Sequence, residues 1–335
     1  MHRRSAPLGG HGRATGRRPA PAGRHPGRPP PGCPQVSARE HRPRVVAMGG
    51  GRGLTATLRA ARRYASHTTA IVATADDSGS TGRLRSALSI PAPGDLRRCL
   101  TALAGAEDEP LGQALEYRFS GTDVEGHALG NLLLAGLTAV TGDFLAATVR
   151  TAALLGLDPE QGQVVPATVE PVDLSAVTSN GTRITGQYAI SKTAGIRRVE
   201  LSPPGVKPPD GLARTIHDAD QVVLGPGSVY TSLLAAALVD DLHAALAATR
   251  AQLVYVCNLE PEVAETQGYD VAAHVDALCA HGVEPDLVLV HDGGPLSTGD
   301  VGVPVVRADL VRSDPQYGTA HDSVKLAAAL ATVLP

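Results

Sequence analysis

Arg44-Val-Val-Ala-Met-Gly-Gly-Gly-Arg-Gly-Leu-Thr-Ala-Thr-Leu-Arg59 joins a short apolar run to four glycines within five positions and then to a helical pattern. The valines at its start suit a buried strand, and Leu54, Leu58 and Ala61 would share one face of a helix. Glycines let a backbone turn tightly and approach a ligand, and the bare N–H groups at a helix start attract anions. The stretch therefore predicts a strand, a phosphate loop and a helix of an α/β fold.

The loop fits neither standard nucleotide motif. Leu54 stands where G-x-G-x-x-G requires its last glycine, and no Gly-Lys-Ser/Thr follows. A glycine-rich turn without a ligand therefore stays open as the alternative. Arg52 either turns toward a diphosphate, which we predict because an added cation suits an anion-binding loop, or lies in solvent. The residues predicted to bind phosphate here are Gly49, Gly50, Gly51, Arg52 and Gly53.

Composition narrows the class of protein. Hydrophobic residues form 43% of the 335 residues, enough for one large α/β domain, whereas 3% aromatic residues are too few to stack nucleic-acid bases. Cys33, Cys99, Cys257 and Cys279 are far apart, which indicates neither a zinc site nor a disulfide framework and suits a cytoplasmic protein. No apolar run reaches the roughly 18 residues of a membrane span.

Residues 1–43 are predicted to form a disordered basic extension. They contain nine Pro, seven Gly, nine Arg and one acidic residue, with too little apolar surface to offset the entropy of folding. Three roles are open: a basic tail that touches nucleic acid or membrane, a regulatory linker, or sequence translated from a start codon assigned too early, which we favour. Residues 44–335 carry 21 basic and 32 acidic residues, so we expect no nucleic acid to bind this body.

Two adjacent carboxylates follow the second predicted strand, 69–75. Asp76 and Asp77 lie about where a doubly wound fold places the acid that binds ribose hydroxyls. Adjacent side chains point apart on a strand, so one carboxylate is expected to face the cleft. The pair could instead ligate Mg²⁺ together with substrate phosphates, or cap a helix without any ligand. Arg83 could neutralise phosphate or lie exposed on a helix.

Two further polar residues are candidates for the same cleft. His127 and Asn131 are four residues apart, and they share a helix face if the helix begins by His127. Their donors could reach a phosphate or a base edge, or they could cap the turn and bond the backbone. Asp95 is predicted as the N-cap of the helix that begins at Leu96.

The pattern changes after Gly162. Valines and leucines nearly alternate with polar residues, and Asn180-Gly181 between two such runs is a strong hairpin signal. We therefore predict an antiparallel β elaboration at about 162–201, with a return strand over 182–188.

A second glycine loop follows when the α/β rhythm resumes. The strand 221–224 leads into Gly225-Pro-Gly-Ser228 and a helical run, and further buried strands are predicted at 253–257 and 286–290. Loops at the carboxyl ends of parallel strands form the binding edge of open α/β sheets, although a plain turn is the alternative. The ligand-binding candidates here are Gly225, Pro226, Gly227, Ser228, Tyr230 and Thr231.

Five motifs in order carry a family resemblance. They are Gly-Gly-Gly-x-Gly-Leu at 49–54, Ala-Asp-Asp-Ser-Gly-Ser-Thr-Gly-Arg-Leu-Arg at 75–85, Pro-Gly-Asp-Leu-Arg at 93–97, Gly-His-Ala-Leu-Gly-Asn-Leu at 126–132 and Leu-Gly-Pro-Gly-Ser-Val-Tyr-Thr-Ser at 224–232. Together they resemble the gluconeogenesis factor (YvcK-like) family, the bacterial branch of the CofD-like, or 2-phospho-L-lactate transferase, superfamily.

The resemblance implies a Rossmann-like, mostly parallel sheet with flanking helices over 44–335, in the cytoplasm. It further implies a non-catalytic regulator of cell shape and wall synthesis during gluconeogenic growth that binds UDP-sugars such as UDP-N-acetylglucosamine. The first loop would hold the diphosphate, Asp76 or Asp77 the ribose, and 225–231 the far end of the ligand. The alternative is a phosphotransferase like the other branch, with Mg²⁺ bound only alongside phosphate. A homo-oligomer is compatible with both; protein partners are not indicated.

Three departures from the family pattern concern the sugar side more than the phosphate side. Arg52 stands where the family usually has Thr, residues 258–265 lack the usual Met-Thr-Gln segment, and Val-His-Asp-Gly at 290–293 replaces an Asn-rich strand end.

Overall fold

The computed structural model describes residues 42–121, 123–312 and 319–335. Its strands, in chain order, are β1 Arg44–Gly49, β2 His67–Val72, β3 Gly162–Pro166, β4 Asp173–Thr178, β5 Arg183–Thr185, β6 Ile196–Ser202, β7 Gln221–Leu224, β8 Gln252–Val256, β9 Leu287–His291 and β10 Val305–Ala308. Its helices are α1 Gly51–Tyr64, α2 Gly79–Leu88, α3 Pro93–Ala104, α4 Pro110–Glu116, α5 Leu129–Thr141, α6 Phe144–Leu154, α7 Gln187–Ser191, α8 Leu212–His217, α9 Ala235–Ala237, α10 Asp240–Ala248, α11 Val271–Cys279 and α12 Ser323–Thr332. A π helix, Val229–Leu234, runs directly into α9.

No single described helix is long and apolar enough to cross a membrane. A pair bent by 86°, Val229–Ala237 with Asp240–Ala248, passes by length and composition alone. Val229, Leu233 and Leu242 of this pair lie in the main hydrophobic core.

The central sheet confirms the predicted α/β class. Seven strands lie in the order β10-β9-β8-β7-β1-β2-β3, and all their pairings are parallel. The chain moves outward from β1 to β3, then returns to pair β7 with β1 and moves outward on the other side. Strand order therefore reverses between β1 and β7, which is where open α/β sheets bind ligands.

Side chains of β1 alternate between two hydrophobic layers. Val45 and Ala47 pack in the clusters that contain residues of α1, α3 and α12, whereas Val46 and Met48 face the cluster around the π helix and β4–β6. A strand covered on both faces reads as a continuous apolar run, which is how the opening stretch predicted it.

The antiparallel elaboration exists, and its hairpin turn lies where predicted. Strands β5, β4 and β6 form a separate antiparallel sheet with β4 in the middle. At the turn, Thr178 N donates to Thr182 O over 3.0 Å, and Asn180 Oδ1 accepts from Thr182 N over 3.1 Å. Gly181 has φ +84°, which a glycine adopts without strain.

The predicted limits of this elaboration are wrong at two places. Strand β3 pairs in parallel with β2, so it completes the central sheet and the elaboration begins at Asp173. The return strand ends at Thr185, because Gly186 at φ +103° turns the chain into α7. Tyr188 N then donates to Asp77 Oδ1 over 2.8 Å, which links this helix to the loop between β2 and α2.

Residues 1–41 of the predicted extension lie outside the described residues, so their disorder stays a prediction. Arg42 and Pro43, which the prediction assigned to the extension, contact the folded body: Arg42 Nη2 donates to Arg63 O over 2.9 Å. Pro43 O accepts from Ser66 N over 2.8 Å.

Candidate ligand-binding site

The two predicted glycine loops contact each other at the point where the strand order reverses. Thr57 Oγ1 donates to Gly225 O over 2.8 Å, and a Cβ placed on Gly53 would lie 2.0 Å from Pro226 O. The start of α1 therefore packs directly on the loop after β7. The two loops form a single surface at the carboxyl edge of the sheet.

A cavity of about 520 Å³, here called the glycine-loop cavity, opens beside this surface. Four predicted residues line it: Arg52, Gly53, Pro226 and Gly227. Arg52 is exposed, and no described residue accepts a hydrogen bond from its guanidinium. The opposite wall is formed by residues that follow β8 and residues that precede α12. None of them was predicted from the sequence to bind a ligand. They include Asn258, Glu260, Glu262, Arg312 and His321.

Two buried polar atoms of that wall have no partner in the described chain. Asn258 is 8% exposed; its Oδ1 accepts from Gly227 N over 2.8 Å, but its Nδ2 bonds nothing. His321 Nε2 is also buried and unpartnered. Burial lowers the pKa of His321 to about 4, and a hydrogen bond to the Cys257 backbone opposes that shift. The ring is therefore neutral at pH 7, and since its other nitrogen donates to the Cys257 carbonyl, Nε2 is an acceptor.

The Asp95 carboxylate already accepts a hydrogen bond from one of the backbone amides that were expected to bind an anion. Its Oδ2 accepts from Gly51 N over 2.7 Å, and its Oδ1 accepts from Arg98 Nη1 over 3.2 Å. Burial raises the pKa of Asp95, and Arg98 opposes the rise. The N-cap prediction for Asp95 was wrong, because α3 begins at Pro93 and the carboxylate lies in its first turn. A ligand anion at this loop must therefore use positions other than the Gly51 amide.

The adjacent carboxylates diverge as predicted, although β2 ends at Val72 and not at residue 75, so both lie in the loop that follows the strand. Asp76 Oδ1 accepts from both the backbone N and the Oγ of Ser78, and Asp76 lines a second cavity described below. The Asp77 side chain points away from it, and its Oδ1 accepts a hydrogen bond from Tyr188 N. Only Asp76 is thus placed to meet a ligand in that cavity.

The second cavity, here called the arginine cavity, has a volume of about 550 Å³. Its charged lining residues are Asp76, Arg83, Arg97, Arg98 and Arg118. Of these, sequence reasoning proposed Asp76 and Arg83 alone, since only the fold brings Arg97 and Arg98 of α3 and Arg118, which follows α4, to the same cavity.

His127 and Asn131 both contact Ser80, which lines the arginine cavity, but neither lines the cavity itself. Helix α5 begins at Leu129, after His127, yet Ser80 joins the two: its Oγ lies 2.9 Å from His127 Nδ1 and accepts from Asn131 Nδ2 over 3.1 Å. Asn131 is 1% exposed, and its Oδ1 accepts from Arg97 Nη1 over 2.6 Å. Asn131 therefore holds the wall in place through internal hydrogen bonds.

The last two ligand-binding candidates of the second loop are buried. Tyr230 and Thr231 are 2% and 3% exposed. The Glu265 carboxylate accepts hydrogen bonds from Tyr230 N over 2.8 Å and from Thr231 Oγ1 over 2.7 Å. Ser228 Oγ donates a hydrogen bond to Glu262. Tyr230 and Thr231 thus support the π helix and do not line the cavity. Sequence reasoning could not see this, because Glu265 is more than thirty residues away.

The residues do not form a metal site by themselves. Within 42–121, 123–312 and 319–335, no group of three or more His, Cys, Asp or Glu side chains is arranged to hold a metal ion. Asp76 and Asp77, the pair considered for Mg²⁺, point apart.

Comparison with known proteins identifies the family. The family profile described as "2-phospho-L-lactate transferase CofD" matches residues 45–310. This chain belongs to the CofD family. Within it, the chain is similar to the gluconeogenesis factor of Halalkalibacterium halodurans, with 42% identity over 76% of this chain and 78% of that protein. It is 40% identical to the gluconeogenesis factor of Bacillus subtilis over 72% of this chain and 75% of that protein. A relative from Nostoc matches at 41% identity over 76% of this chain, which spans 56% of that longer protein.

A solved structure agrees with the CofD-family fold. The crystal structure of a UPF0052 family member from Bacillus halodurans superposes with a TM-score of 0.79 at 37% identity, covering 86% of this chain and 99% of that chain.

Proposed function

We propose that this CofD-family protein is a regulator of the gluconeogenesis factor type that binds a nucleotide sugar, with UDP-N-acetylglucosamine as the candidate. The ligand occupies the glycine-loop cavity, and binding supports cell shape and wall synthesis during gluconeogenic growth. The observation that carries the proposal is the pair of unpartnered buried atoms, Asn258 Nδ2 and His321 Nε2, in the lining of that cavity.

Unpartnered buried polar atoms cost free energy, so a native site normally supplies them with a partner. Asn258 Nδ2 is a donor and His321 Nε2 an acceptor, so together they suit a ligand that presents both kinds of group. Sugar and ribose hydroxyls do so, and so does the imide edge of uracil. Arg52 lies in the same lining, and because no described residue accepts a hydrogen bond from its guanidinium, it can pair with a diphosphate.

Calorimetry with UDP-N-acetylglucosamine tests the proposal. We expect the full chain to bind, and Asn258→Asp to bind at least roughly tenfold more weakly, because the variant keeps the acceptor for Gly227 N but loses the Nδ2 donor. Asn180→Asp, the same change at an exposed hairpin turn, is the control and should bind like the wild type. No binding at millimolar concentrations would refute UDP-N-acetylglucosamine as the ligand. Equal affinity of the Asn258→Asp variant and the wild type would refute the glycine-loop cavity as its binding site.

Arg52→Thr tests the phosphate side. If the guanidinium contacts the diphosphate, the affinity for UDP-N-acetylglucosamine falls roughly tenfold and its salt dependence decreases, since a charge-assisted hydrogen bond is lost. Arg150→Thr, on the exposed face of α6, should change neither quantity. Unchanged affinity and salt dependence in Arg52→Thr would leave Arg52 as a surface residue.

A transferase of phosphorus-containing groups is the second candidate, because the matching family profile carries that description. The divergence of Asp76 and Asp77 weighs against a Mg²⁺ site built by these two residues, so we derive no catalytic step from them. Incubation with a nucleotide-linked phospholactyl donor, Mg²⁺ and an alcohol acceptor discriminates the two functions. Release of the nucleoside monophosphate would favour the transferase; an unchanged donor would favour the regulator.

A further inference from the structure

The arginine cavity contains positive charge that the proposed function does not use. Arg97 Nε pairs with Glu116 at 2.9 Å, and Arg98 pairs with Asp95 at 3.2 Å. Neither Arg83 nor Arg118 has an ion-pair partner within the described ranges. Two of the four guanidiniums therefore have no carboxylate partner among the described residues.

These two guanidiniums are held at the same turn. Arg83 Nη2 donates to Glu125 O over 2.7 Å, and Arg118 Nη1 donates to Gly126 O over 3.0 Å. The carbonyls belong to consecutive residues, so both guanidiniums are anchored on one turn, and both line the same cavity. Gly126 makes this possible, because a Cβ there would lie 3.0 Å from Arg83 Nη2. Like charges held together repel, and an anion between them removes that cost.

The rest of the lining suits the same kind of ligand. Helix α2 starts at the cavity with no acidic residue in its first turn and no side-chain cap, so its amino end adds positive potential. Burial, together with Arg83 and Arg118, lowers the pKa of His127, which lies against the lining residue Ser80. The carboxylate of Asp76 offers an acceptor at the lining of the same cavity.

We propose that the arginine cavity binds a phosphoryl group, gripped by Arg83 and Arg118 near the amino end of α2. The planar guanidinium of arginine can donate two parallel hydrogen bonds to phosphate oxygens. The cavity volume of about 550 Å³ also leaves room for the rest of a ligand that carries hydroxyl groups, one of which donates to Asp76. The ligand class is thus a phosphorylated sugar or polyol. The phosphoryl group belongs either to the nucleotide sugar of the proposed function or to a separate sugar phosphate.

Titration of the full chain with inorganic phosphate tests this site without relying on any nucleotide sugar. We expect Arg83→Gln and Arg118→Gln each to weaken phosphate binding roughly tenfold, with Arg150→Gln as the matched exposed control that binds like the wild type. Absence of phosphate binding by the wild type, or equal affinity in all four proteins, would overturn the proposal.

A second measurement covers the case in which the variants fail to fold. In the wild-type chain, phosphate should protect Arg83 and Arg118 from phenylglyoxal, while Arg150 stays reactive; equal reactivity with and without phosphate would contradict the site. Adding UDP-N-acetylglucosamine at saturating phosphate then separates the two sources. Competition assigns the phosphoryl group to the nucleotide sugar, and independent binding assigns it to a separate sugar phosphate. Failure of UDP-N-acetylglucosamine to bind leaves the phosphate result intact and counts against the proposed function alone.

Discussion

Gly53→Ala is expected to destabilise the protein by about 3 kcal/mol, although alanine is the better helix former. Gly53 lies in the first turn of α1, and its Cβ would fall 2.0 Å from Pro226 O and 2.5 Å from Pro226 C. Both contacts are with backbone, so the clash can be relieved only by separating the two glycine loops. We expect the melting temperature to fall by roughly 6–12 °C in thermal unfolding.

Gly136→Ala provides the matched control for Gly53→Ala. Gly136 lies inside α5, and a Cβ there would meet no atom within 4 Å. The same substitution should therefore stabilise the protein by roughly 0.5–1 kcal/mol through helix propensity alone. Equal melting temperatures for Gly53→Ala and the wild type would show that the loops do not contact each other as described.

Glu265→Gln is expected to remove a pH dependence of stability. Burial raises the pKa of Glu265 from its ordinary value of 4.5 to about 7, while the hydrogen bond from Thr231 opposes the rise. Between these values the folded state keeps a proton that the unfolded state releases. This stabilising contribution is complete below about pH 4.5 and is lost as pH rises through 7. The loss amounts to about 3 kcal/mol at 1.36 kcal/mol per unit.

Urea denaturation at pH 5, 6.5 and 8 measures that effect. Relative to the wild type, the free energy of unfolding of Glu265→Gln should increase by about 2.5 kcal/mol between pH 5 and pH 8, because glutamine cannot ionise. Glu284→Gln, at an exposed position, should follow the wild type across the range. Parallel curves for wild type and Glu265→Gln would mean that Glu265 is ionised throughout.

Local patterns predicted most of the central sheet. The apolar runs after Arg44 and before Gly225 became β1 and β7, and the glycines that follow them placed both loops at the carboxyl edge of the sheet; the contact between the loops was not predicted. Strand β3 was assigned to the wrong sheet, because alternation shows that a segment is extended but not which strand it pairs with.

The candidate site was harder to predict, because long-range contacts decide which side chains are free. Tyr230 and Thr231 follow a glycine loop, as ligand-binding residues often do, yet the distant Glu265 draws them inward. Asn258 was missed although it directly follows the buried run 253–257, the position at which the carboxyl edge of a parallel sheet presents its side chains. Asn258 would have been predicted if the residue that directly follows each parallel strand had been considered as a candidate.

The most direct test of the central claim is a crystal structure of the full chain with UDP-N-acetylglucosamine. We expect density for the ligand in the glycine-loop cavity, with one group of the ligand within hydrogen-bond distance of Asn258 Nδ2 and another within hydrogen-bond distance of His321 Nε2. A ligand bound elsewhere, with both of these atoms still unpartnered, would contradict the account.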